Sequence, residues 1–141
     1  MNTGGRAEPE ALLAHLRRVA HHGARASRLA RFAADFVDLV VPIAPSERPD
    51  ARLIQRAILA EGLIRQAAHR LGGDHERALS VILGLEPGTV GMNLERRRQI
   101  AAAIVGVLPD TFRRDRHEGL MLWDLACELY QVAEAHPIDE G

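Results

Sequence analysis

Apolar residues recur along this chain at steps of three and four, the period of a helix with one buried face. Leu12, Leu13, Leu16, Val19 and Ala20 form a first stripe behind Pro9, which suits a helix's first turn, and the cluster His21-His22-Gly23 stops it. Ser27 is a good N-cap for a second stripe through Leu29, Phe32, Ala33, Phe36, Leu39 and Val40, which predicts one helix over residues 28–41. In VPIAPSERP, Pro42, Pro45 and Pro49 fix three φ angles and remove three donors, so residues 42–49 read as a linker. Asp50 is placed to cap the next helix. There Leu53, Ala57, Ala60, Ile64, Ala67 and Leu71 make the most regular stripe of the chain, with Ile54 and Ile58 as a second row.

Gly72 and Gly73 end that helix, and Asp74 is set to cap a short one spelled HERALSVILGL. The loop GLEPGTVGMN follows, then LERRRQIAAAIVG resumes helical spacing through Leu94, Ile100, Ala101 and Ile104. Gly106 closes it and Pro109 opens another. From Leu120 onward Leu122, Leu125, Ala126, Leu129, Val132 and Ala133 share one face, with Trp123 and Tyr130 on its flank. No span alternates with strand period, so the expected fold is all-α, a bundle of about six or seven helices. The 141 residues fit one domain: helices over 9–41, the linker 42–49, and a helical section over 50–141.

Composition narrows the function by exclusion. The hydrophobic fraction is 47% and the aromatic fraction 4%, so the core is built from aliphatic side chains and Ala. All 18 basic residues are Arg, which leaves no lysine amine for Schiff-base or general-base chemistry. A net charge of −1 excludes a uniformly basic nucleic-acid coat and requires any such contact to be local. Cys127 is the only cysteine, so no intrachain disulfide forms, and its place beside Ala126 among Leu122, Leu125 and Leu129 reads as an inert packed thiol. Residues 99–109 are the longest uncharged run, 11 residues broken by Gly106 and ending at Pro109, too short to cross a bilayer. With no apolar leader at the N-terminus, a cytoplasmic protein is expected.

The seven histidines include His21, His22, His69 and His75, yet none pairs with a carboxylate at ligand spacing, and His117-Glu118 fails the HExxH pattern because Met121 stands fifth. No metal and no cofactor is expected. Ser27, Ser46 and Ser80 lie in no nucleophile-elbow sequence, and the loop GLEPGTVG lacks a phosphate-binding Gly-Lys-Ser/Thr ending. Glu61 interrupts the best stripe, with an Arg partner or an exposed helix edge as the ordinary explanation. No constellation for catalysis emerges, so the chain reads as non-catalytic.

One segment carries a positive signal. RRRQIAAAIVGVLPDTFRRDR, residues 96–116, resembles a bacterial helix-turn-helix in its steric roles. Ala102 is small where two helices would cross, Gly106 stands where the turn needs positive φ, Val107 plugs the turn, and Phe112 would anchor the second helix inward. VGVLPDTFRR is also similar to an actinobacterial motif of the form LGVSPDTFRR, found ahead of a Leu-rich helix in regulatory and signalling proteins; the likeness spans residues 78–130. The resemblance implies a helix-turn-helix-like unit over 94–118, with Thr111, Arg113, Arg114 and Arg116 on a major-groove face and Arg96, Arg97 and Arg98 on phosphates.

Three features depart from that pattern. Leu108 replaces a Ser N-cap, Asp115 and Arg116 stand where the inner stripe would continue, and six Arg against four acids give residues 94–118 a net charge of only +2, against −5 over 119–141. Two readings follow. The leading one is a DNA-binding regulator, a homodimer because a single unit reads few base pairs. The other is a helical adaptor whose Arg113, Arg114 and Arg116 meet acidic side chains of a partner protein.

Overall fold

The computed structural model describes residues 8–44, 46–48 and 52–135. These form an all-α bundle: α1 (Pro9–His22), α2 (Ala26–Phe32), α3 (Ala34–Val40), α4 (Leu53–Leu71), α5 (Gly73–Ile82), α6 (Leu94–Val105), α7 (Pro109–Phe112), a π-helical turn (Asp115–Gly119) and α8 (Leu120–Ala135). There is no strand among the described residues. The Asp50 cap lies outside them, as do Pro45 and Pro49 of the linker.

The long helices follow the apolar period. Leu12, Leu16, Val19 and Ala20 of α1 are buried against α8, whose Leu122, Leu125, Ala126, Leu129, Val132 and Ala133 are buried in turn. α8 also packs on α4, where Ala57, Ala60, Ile64 and Ala67 are buried. Removing side chains such as Leu125 and Leu129 from water contributes roughly 1.5–3 kcal/mol each. Small alanines on α4 let the neighbouring helices approach. The second row, Ile54 and Ile58, faces solvent instead.

Two boundaries differ from expectation. The helix predicted over 28–41 is two helices, because Ala33 leaves helical geometry at φ −144° and ψ 41° while its side chain stays in the core. The second helix also begins before Ser27. Its first residue, Ala26, donates its N–H to Glu61 Oε1 at 2.8 Å, so a carboxylate from α4 does the work of a local cap. Glu61 Oε2 accepts from Arg65 Nε, also at 2.8 Å, which accounts for an acid within the α4 stripe. Asp74 is not an N-cap: α5 starts at Gly73, and Asp74 pairs with Arg77 in the first turn.

The loop of residues 83–93 folds back on the joint between α1 and α2. Ala24 N–H donates to Leu83 O at 2.7 Å, and Gly23, at φ 92°, lies so close to Gly84 that a Cβ on the latter would sit 3.6 Å from the Gly23 Cα. The joint, the loop and the start of α6 thereby share one corner of the bundle.

Candidate binding surfaces

Within residues 94–118, α6 ends at a turn and the short α7 follows. Asn93 Oδ1 caps α6 by accepting from Arg96 N–H at 2.8 Å, and Ala102 is fully buried. Gly106 takes the left-handed conformation, φ 80° and ψ 30°, and both Gly106 N–H and Val107 N–H return to Ala102 O. Val107 packs partly buried against the core, and Phe112 is fully buried.

The second helix of the pair is a single turn. Leu108 stands at the α7 N-cap without a side-chain cap bond, and after Phe112 the chain passes into the π-helical turn rather than another α-turn. Glu118, in that turn, is only 5% exposed and takes two hydrogen bonds from Arg98, at 2.7 and 2.9 Å. This fork raises the Arg98 guanidinium's affinity for its proton and neutralises its charge.

The candidate contact residues therefore divide. Arg97 points inward, 3% exposed, with Nε on Met92 O at 3.2 Å and its two amino groups on Ile82 O and His21 O. Burial, and secondarily the charge of Arg98, pushes its pKa down. Arg98 belongs to Glu118. Arg113 is exposed but bonded to Glu95 at 3.2 Å, Arg96 bonds Gln99 at 3.1 Å, and Thr111 is half-buried. Arg114 and Arg116 are exposed and have no ion pair among the described residues. Leu108, 73% exposed, and Leu120, 55% exposed, bracket them.

A second basic region lies at the α1–α2 joint, outside the segment singled out by sequence reasoning. Residues 11–34 contain five Arg and three His without one Asp or Glu, a signal legible in the sequence as an acid-free run. Arg25 donates from Nε to Gly84 O at 3.0 Å and from an amino group to Leu85 O at 3.2 Å. Together with His21, His22, Arg28 and Arg97 it lines a cavity of about 190 Å³, closed on the other side by residues 89–93. A neighbouring cavity of about 200 Å³ shares His21 and His22 and adds Arg18 and Phe32. The Phe32 ring stacks on His22 with centroids 4.2 Å apart, and Arg31 lies 5.2 Å over it.

The remaining titratable groups offer no rival centre. No group of three His, Cys, Asp or Glu able to hold a metal ion occurs among the described residues. Burial, reinforced by Asp124, Glu10 and Glu128, pushes the Cys127 thiol up and away from thiolate reactivity. No helix of the described residues is long and apolar enough to cross a membrane. No protein-family model, curated protein or solved structure matches the chain.

Proposed function

We propose that this chain is a non-catalytic regulatory adaptor that holds an acidic, partly apolar segment of a partner protein against α7 and the π-helical turn. One observation carries the reading: two exposed leucines, Leu108 and Leu120, bracket the exposed Arg114 and Arg116. Protein interfaces are enriched in arginine set beside exposed apolar side chains. A groove-reading helix instead needs a run of polar side chains and several phosphate contacts.

A DNA-binding regulator is the second reading, favoured by the left-handed Gly106 and the buried Phe112, which suit two helices meeting at a tight turn. Its weakness is charge. Arg97 turns inward, while Arg98 and Arg113 meet carboxylates, so few of the candidate arginines remain for phosphates.

Co-purification from the native cell, compared across wild type, Leu108→Asp and Arg116→Glu, tests the adaptor reading. A defined protein retained by wild type and lost with either variant is expected. Salt-dependent affinity for DNA that Arg116→Glu abolishes, with no such protein, overturns it in favour of the DNA reader.

A further inference from the structure

The charged side chains at the cavity of the α1–α2 joint are all arginines. Among the described residues no Asp or Glu borders it, Arg25 reaches it from the joint, Arg28 from α2 and Arg97 from α6, and His21 and His22 form one wall. Its arginines have no acceptor to offer and Asn93 Oδ1 already accepts from Arg96 N–H, while Thr89 Oγ1, whose proton goes to Glu86 O, can still accept.

Two of the guanidinium groups are fixed by neutral partners. Arg25 uses two N–H bonds on the carbonyls of Gly84 and Leu85, and Arg97 uses three on those of Met92, Ile82 and His21. A guanidinium has five N–H donors, so both are oriented while keeping donors in reserve and a charge that no carboxylate cancels. Ordinary structural arginines in this chain are handled otherwise: Arg56, equally buried, meets Asp38 at 2.7 Å, and Arg98 meets Glu118. Holding uncompensated positive charge in a concave, partly desolvated corner costs stability unless an anion completes it.

From this arrangement we infer that the joint is an oxyanion site for a phosphate group, free or as the head of a small phosphate monoester. Cations arriving from the α1–α2 joint, α2 and α6 suit a tetrahedral dianion with acceptors in several directions better than a planar carboxylate. The volume, about 190 Å³, sets the ligand's size, since an enclosed space of ~150 Å³ holds a molecule as large as benzene. Arg28 is the ligand-facing cation least tied to the fold. It is exposed and lies 6.0 Å over the Phe32 ring, with no carboxylate partner among the described residues.

The inference uses none of Leu108, Arg114 or Arg116, so it stands or falls separately from the adaptor reading. Thermal denaturation and calorimetric titration with inorganic phosphate, at ionic strength held constant with chloride, test it. A saturable rise in Tm is expected, with shifts of the His21 and His22 ring protons in NMR. Arg28→Ala should retain the wild-type fold and weaken phosphate binding about tenfold or more, as the loss of a charge-assisted hydrogen bond does, whereas Arg116→Ala binds as wild type. Tighter binding of a three-carbon phosphate monoester than of phosphate assigns the site to a small organophosphate, and equal or weaker binding assigns it to the free ion. A Tm rise matched by chloride alone, or binding undiminished in Arg28→Ala, overturns the proposal.

Discussion

The arginines of residues 94–118 and those of the α1–α2 joint share one side chain and meet different surroundings. In the first region a cluster that looks basic in sequence is largely cancelled in space: Glu118 forks onto Arg98, and Glu95 reaches Arg113 across eighteen positions of chain. In the second, Arg25 of a run with no acids of its own donates to the carbonyl oxygens of Gly84 and Leu85, which orient its charge without removing it. Local net charge along a sequence therefore predicts surface potential poorly, and the chemistry of the acceptor decides. A carboxylate neutralises and a carbonyl only aims.

The sharpest way to break this contrast is at Arg97, where the two regions meet. Replacing it with Ala removes the donors from three carbonyls in a corner with little water, at ~1 kcal/mol or more for each orphaned acceptor, besides the packing of its stem. Arg97→Ala is expected to lose about 3 kcal/mol or more in urea denaturation, and Arg113→Ala, which severs an exposed pair, under about 0.5 kcal/mol. Equal effects would mean that Arg97 is a surface cation like Arg113.

A smaller effect separates the two glycine turns. Gly23 has φ 92° and ψ 157°, a combination nearly restricted to glycine, and a Cβ there would stand 3.6 Å from Leu83 O. Gly106 has φ 80° and ψ 30°, which other residues reach with strain, and a Cβ there would meet nothing within 4 Å. Gly23→Ala should cost about 2 kcal/mol and Gly106→Ala about 1 kcal/mol by chemical denaturation. A reversed order would show that the C-terminal turn, not the joint with the 83–93 loop, is the tighter fit.

Much of this was legible in sequence, for identifiable reasons. The stripes of α1, α4 and α8 follow their period because each helix buries one continuous face, and Gly23 and Gly106 end helices through a conformation that few other residues accept. The break at Ala33 was not legible, because Leu29, Ala33 and Phe36 keep helical spacing straight through it and all three are buried. The capping of Ala26 by Glu61 joins residues 35 positions apart, beyond the reach of any local signal. At the candidate site, period did carry a warning: Arg97 stands three after Leu94 and four before Ala101, on the buried stripe of α6. Its partners could not be named, since they are backbone carbonyls of distant loops. Six consecutive positions after Phe112 hold no apolar residue, which is consistent with α7 stopping after one turn.

The smallest effect distinguishes the two regions by pH. Beside the joint, His15 lies 3.8 Å from Asp35, which also accepts from Arg18 at 3.1 Å. Burial lowers the His15 pKa below 6.5, the Arg18 charge adds to this, and Asp35 opposes it. Partial burial of Asp35 would raise its pKa, but the bonds from Arg18 and Phe36 N–H outweigh that and bring it below 3.8. A histidine with a lowered folded pKa binds fewer protons folded than unfolded, so stability declines as pH falls through the unfolded value near 6.5. A carboxylate with a lowered pKa contributes stability that is present above 3.8 and lost as pH falls through its folded value. Thermal denaturation across about pH 7.5 to 3 should thus show two successive losses. His15→Gln should flatten the upper one. Asp35→Asn should reduce the lower one and steepen the upper, because His15 then loses the only neighbour that favours its charge among those acting on it. An unchanged upper slope in His15→Gln would assign the decline to groups elsewhere in the bundle.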